Sequence, residues 1–212
     1  MQSTQDLVLE FARLGIVYVH LIACCVAIGL VLTSDLAMVR QLFNGDLDDK
    51  LDDAHLTTLK NTVAVALGVL WLSGLAVVLL DSAAKGWQYF ANPKLQAKIA
   101  IVVLLTINGI VLHHRVLPWI RKAGSLLRLS YGQSLLATLT GAVSGVSWFY
   151  AAMLGVGRPL SWKYSLAELM FAYPLLILAG FFGMLMLVSW AKYRDSGERE
   201  AFQHTRVIAL DA

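Results

Sequence analysis

Charged side chains are scarce in this chain of 212 residues. Asp, Glu, Lys and Arg together make up 15%, whereas apolar residues make up 58%. A mean hydropathy of +0.67 means that the chain has more apolar surface than one soluble core can bury. The chain also lacks a basic patch interleaved with aromatic residues, and its net charge is only +3, which argues against a nucleic-acid partner. We therefore expect an integral membrane protein whose main partner is the lipid bilayer.

Cysteine is nearly absent. The only two, Cys24 and Cys25, are adjacent in the sequence, where an unstrained disulfide is geometrically disfavoured. A cleavable signal peptide is not indicated either, because Asp6 and Glu10 precede the first basic residue, Arg13, and the apolar run that follows is too long. We expect that run to remain in the protein as a permanent span.

Long apolar segments dominate what is present, and they predict an all-α membrane bundle that forms a single domain over residues 1–212. The first helix is expected to continue past its span to about Phe43 and to stop at Asn44 and Gly45. An acidic cytoplasmic segment at 44–60 lacks the ligand spacing of a calcium loop and is predicted to be a solvated surface helix, and a polar tail covers 191–212. The five predicted spans are 14–32, 62–80, 96–117, 134–154 and 166–190.

The basic residues predict the orientation. Most of the 17 lie in the loop after span one, in the linker after span three and in the tail. Because basic loops stay on the cytoplasmic side, we expect a bacterial inner-membrane protein with its N-terminus out and its C-terminus in. In the fourth span, Gly141 and Gly145 form a small-xxx-small pattern that allows close helix approach, so this span is expected to be central.

His20 is expected to be the functional centre, because it is the one ionisable side chain predicted to lie deep within a span. An imidazole there must contact protein, a cofactor or water, since lipid cannot satisfy its nitrogens. Counting residues from the span ends predicts a polar and aromatic layer at the same depth. Its members are Trp71, Ser73, Thr106, Asn108, Ser147, Trp148, Tyr173 and Pro174.

Two kinds of cofactor fit this layer. His20 is a candidate axial ligand of a b-type haem. His113 and His114 are expected at the inner interface and not as ligands, so such a haem needs another sixth ligand, an open position or a partner subunit. The alternative is copper, because Cys24 follows His20 by one helical turn, and Met153 or Met170 could complete a soft ligand set.

Two segments resemble a known group of proteins. His20 with Gly29 nine residues later, and the sequence NPKLQAKIAIVVLLTINGIVLHH at the start of span three, are similar to the CopD and HemJ-type (protoporphyrinogen oxidase-like) membrane families. Those families place a histidine in span one and a lysine at the start of span three, which correspond to His20 and Lys98. The HemJ-type pattern has a second histidine where this chain has Asn108. Lys98 could neutralise a haem propionate, or it could simply extend its ammonium group to the membrane surface.

Three classes of function follow. The first is a haem protein for membrane electron transfer, with a quinone or a redox partner protein. The second is a transporter or copper-handling protein, and the third is a structural or assembly subunit, in which polar residues only join helices. A homo-oligomer is possible, and the sequence does not define an enzymatic reaction. The predicted cofactor-binding residues are His20, Lys98, Asn108, Trp148 and Tyr173, and the predicted metal ligands are His20 and Cys24.

Overall fold

The computed structural model describes residues 4–44, 53–157, 160 and 162–210; side chains are described for these except at 5, 6, 44, 53–56 and 196–210. This part of the chain is helical and contains no strand, so the all-α prediction is confirmed. The α-helices are α1 (Thr4–Asn44), α2 (Asp53–Lys85), α3 (Pro93–Val111), α4 (Leu117–Ala123), α5 (Tyr131–Val156) and α6 (Leu166–Leu210).

Five helical segments are long and apolar enough to cross a membrane, as predicted. They are longer than the predicted spans, because helix continues where the apolar run has ended. At 1.5 Å per residue, the 41 residues of α1 measure roughly twice the thickness of a bilayer's hydrocarbon core. The segments are Leu7–Phe43, Thr57–Lys85, Pro93–Ala123, Tyr131–Val156 and Leu166–Asp195.

The third segment is interrupted near its end. A π turn, Leu112–Val116, joins α3 to α4, and the backbone N–H of Leu117 donates to the carbonyl of Leu112. Pro118, which has no N–H to donate, follows directly. Gly124 ends α4 in the left-handed conformation with φ 75°, which a residue with a Cβ atom adopts at a cost.

Two helices begin at residues whose side chains cap them. Asn92 caps α3 by accepting a 3.0 Å hydrogen bond from the backbone N–H of Lys94, and Pro93 occupies the first turn, where a missing N–H is harmless. Ser130 and Gln133 form a capping box at the start of α5. These caps fix where α3 and α5 start.

The helix α5 is central, as predicted: it contacts α1, α3 and α6 and carries more buried residues than the other spans. The predicted role of its two glycines is wrong. A Cβ atom placed on Gly141 would meet nothing within 4 Å, and one on Gly145 would meet only the Asp35 carboxylate, at 3.5 Å. The close approach lies on a neighbouring face, where a Cβ atom on Gly180 of α6 would be 3.6 Å from that of Ala142.

Polar contacts tie the helices together at both ends of the bundle. At the end where α1 begins, which we call the N-terminal end, Arg13 Nε lies 2.9 Å from Asp81 Oδ1 and joins α1 to α2. At the opposite end, Arg194 of α6 lies over the ring of Trp190 and donates to the backbone carbonyls of Leu42 and Phe43 in α1. Polar contacts thus define both ends of the bundle. A cavity lies towards each end, as described below.

Candidate functional site

His20 lies half-buried on the face of α1 that packs against α2. Its Nδ1 atom is 2.8 Å from Ser73 Oγ, and that hydroxyl donates its single proton to the carbonyl of Val69 at 2.6 Å. With its proton on that carbonyl, Ser73 Oγ can accept a hydrogen bond from His20 in the tautomer that carries its hydrogen on Nδ1. This tautomer leaves a lone pair on Nε2, which is the form of imidazole that binds a metal.

Lys98 of α3 is half-buried and lies within electrostatic range of both His20 and Cys24, without a hydrogen bond to either among the described residues. Gly155 of α5 flanks the ammonium group, since a Cβ atom placed there would be 4.0 Å from Lys98 Nζ. The fold thus brings together three of the predicted residues, from positions far apart in the sequence.

A polar pocket of about 520 Å³ extends from Lys98 to the N-terminal end of the bundle, and we call it the basic pocket. It holds four cationic side chains and only one carboxylate, Asp81, which accepts from Arg13 and, at 3.3 Å, from Lys85. Burial, and then the Asp81 carboxylate, raises the pKa of Tyr89. The pocket is lined by Arg13, Val77, Asp81, Lys85, Gln88, Tyr89, Asn92, Lys94, Leu95, Lys98 and Trp162.

The other residues of the predicted layer form separate contacts. Asn108 is buried, and its Nδ2 donates to the carbonyl of Thr140 at 2.9 Å. Since ten residues of helix separate it from Lys98, it lies roughly 15 Å further along α3. Trp71 Nε1 donates to Thr106 Oγ1 at 3.1 Å. The expected shared depth with His20 is therefore wrong for Asn108, because α3 places Lys98 at that level.

Trp148 and Tyr173 are buried in two different clusters. Trp148 packs with Ala27, Ala66 and Leu105. Tyr173 packs in the cluster that contains Ala97, the neighbour of Lys98, and its hydroxyl lies 2.8 Å from Ser147 Oγ. Of the predicted layer, Ser73 is thus the residue that contacts the imidazole of His20.

The predicted soft metal ligands are only partly assembled. Cys24 is half-buried on the His20 face, but Met170 belongs to the Tyr173 cluster and Met153 is 48% exposed on another cavity. Among the described residues, no group of three His, Cys, Asp or Glu side chains could hold a metal ion. His20 and Cys24 are the two ligands that the fold offers together.

Sequence reasoning missed one ionisable group. Asp35 is half-buried on α1 and faces Gly145 of α5, so His20 is not alone within the spans. The signal was the sequence SDLAMV, in which an apolar run resumes directly after the carboxylate. His113 also differs from expectation: His114 is exposed, but His113 is half-buried and its Nδ1 is shielded from solvent with no partner among the described residues.

Comparison of the chain with protein-family models, with curated proteins and with solved structures gave no match. Its function is therefore inferred from the geometry around His20.

Proposed function

We propose that this protein binds a b-type haem in the N-terminal half of the bundle, with His20 as an axial ligand, and serves in electron transfer within the bacterial inner membrane. The observation that carries the proposal is the juxtaposition of His20 and Lys98. A neutral imidazole with a free Nε2 and a cation beside it supply what the two ends of a haem require, namely an iron ligand and a counter-charge for the propionates.

The surroundings of the pair fit an anionic amphiphile. The basic pocket continues from Lys98 and is rich in cations, so carboxylates of a ligand would be stabilised there. Haem supplies a one-electron couple when bound; Ser73 would fix the ring orientation of His20, and Lys98 would hold the propionate side. The resemblance to CopD and HemJ-type proteins rests on these same two positions, His20 and Lys98.

The second candidate is a copper site, favoured by the common face of His20 and Cys24. A thiolate one turn after an imidazole suits Cu(I), although a further ligand would have to come from outside the described residues or from a partner. For either cofactor we propose the orientation that the basic residues indicate, with the N-terminus outside and the basic pocket at the periplasmic face.

An absorption spectrum of the detergent-purified protein tests the proposal. Wild type should show a Soret band and reducible α and β bands, and His20→Ala should lose them while still inserting into the membrane and eluting at the same volume. His114→Ala is the matched control, because His114 is exposed and distant from the pair. If metal analysis finds copper and no porphyrin, the result would support the copper site instead of haem. A wild type that binds neither would contradict the proposal.

A further inference from the structure

A second, larger cavity lies towards the other end of the bundle, and we call it the large cavity. Its volume is about 1250 Å³, and α1, α2, α3, α5 and α6 all contribute to its wall. Pockets for small ligands usually measure about 300–1,000 Å³, so this one has room for a head group and part of a chain. Most of the wall is apolar, as at Val63, Leu67 and Leu176.

Three acidic or basic side chains from three different helical segments face this apolar space. They are Asp35 of α1, Lys60 of α2 and His113, which the π turn after α3 presents to the cavity. Within the described part of the chain, Asp35 has no hydrogen bond or ion pair, and the shielded Nδ1 of His113 has none. Buried polar atoms are normally paired, so the Nδ1 of His113 indicates a partner that the described residues do not provide, and the half-buried carboxylate of Asp35 faces the same cavity.

We propose that the large cavity binds an isoprenoid quinone, with its ring between His113 and Asp35 and its tail along the apolar wall. The ring has two carbonyl oxygens that accept hydrogen bonds, for example from an imidazole N–H, and its reduced form has hydroxyls that donate to a carboxylate. An anionic phospholipid fits less well, because the charge of Lys60 is offset by the carboxylate of Asp35 in the same cavity.

Glycines keep the cavity open. Gly68, Gly109 and Gly141 line it, and a Cβ atom placed on any of them would meet nothing within 4 Å. A larger side chain at these positions would therefore project into the cavity without a clash at its Cβ atom. Gly183 of α6 has equally open surroundings but does not line the cavity, which makes it a matched control.

The first experiment measures equilibrium binding of a short-tailed ubiquinone analogue to the full-length protein in detergent. Wild type and Gly183→Leu should bind it equally. Gly141→Leu and Gly109→Leu should both lose binding, because leucine would occupy the space of the ring or tail. Two variants are used so that a folding defect in one does not decide the result. Unchanged binding in both would overturn the proposal.

The second experiment tests the polar groups. His113→Leu should weaken binding of the oxidised analogue, and Asp35→Leu should weaken binding of the reduced analogue, whose hydroxyls donate to the carboxylate. Each loss should be about tenfold, the usual effect of leaving a hydrogen-bonding group without its partner. A saturated phospholipid or a plain alkyl chain that displaces the quinone analogue equally well would show a non-specific lipid cavity and overturn the proposal. His20→Ala should bind the analogue as wild type does, so failure of the haem proposal and failure of this one remain distinguishable.

Discussion

At the scale of single residues, the orientation of His20 depends on one hydroxyl. Ser73 Oγ lies 2.8 Å from His20 Nδ1 and donates to the carbonyl of Val69, so a hydroxyl on α2 favours the tautomer of His20 that donates from Nδ1. Groups of this kind, which hold a metal-binding histidine, usually change metal affinity by about 10–100-fold when removed. Ser73 is therefore a positioning residue for the proposed haem ligand.

We expect Ser73→Ala to weaken haem binding by about tenfold or more and to shift the reduction potential, because the ring would lose its fixed tautomer. Haem titration of the apoprotein and a redox titration measure these two effects. Ser82→Ala is the control, since Ser82 is on the same helix and only donates to the carbonyl of Leu79 at 3.0 Å. Equal affinity and potential in both variants would show that Ser73 serves only helix packing.

The sequence predicted His20, Cys24 and Lys98 as site residues, because an ionisable side chain in an apolar run must find its partners inside the bundle, and Lys98 lies within electrostatic range of the other two. It did not identify Asp35, because the first predicted span ended at Leu32 and Asp35 lies beyond it. A hydropathy window shows where apolar residues are dense. Whether a carboxylate is buried depends instead on the neighbouring helix that it faces, here α5 at Gly145.

At the scale of helices, Asn108 fastens α3 to α5. Its amide donates to the carbonyl of Thr140 in a buried contact, which is a common way for an amide to join two helices in a membrane. Counting from the span ends placed Asn108 level with His20, whereas Lys98, ten residues earlier on α3, is the residue within electrostatic range of His20.

We expect Asn108→Leu to lower the free energy of unfolding by about 1 kcal/mol, the typical value of such an interhelical bond, and to leave haem content unchanged. Thermal unfolding and the absorption spectrum measure the two quantities on one sample. Thr33→Val is the control, because the Thr33 hydroxyl bonds only within its own helix, to Gly29 and Leu30. If the Asn108→Leu variant lost its haem, Asn108 would be a cofactor-binding residue, as the sequence predicted.

At the scale of the whole molecule, composition and apolar length predicted the five-span helical architecture, because few other folds satisfy so much apolar chain. The two cavities could not be predicted. Each depends on side chains from several helices, such as Asp35 and His113 or Arg13 and Lys94, and no local pattern in the sequence encodes which helices meet.

An odd number of spans puts the two termini on opposite sides, and the basic residues predict which side is which. A phosphatase that is active only in the periplasm should give no signal when fused after Ala212. The same reporter fused to a chain truncated after Gly86, between α2 and α3, should be active. The reverse pattern would invert the orientation, and equal activity would contradict five spans.

At the π turn Leu112–Val116, the number of residues in the turn helps to determine the fold. An α-helix advances roughly 100° per residue, so the wider turn changes the direction in which every later side chain of that segment points. Five residues in the wider turn rotate the chain about as far as four α-helical residues. Inserting one more residue there, rather than deleting one, would therefore rotate buried Val116 away from its cluster, although no contact residue had been replaced. Within these five positions, the number of residues matters as much as their identity.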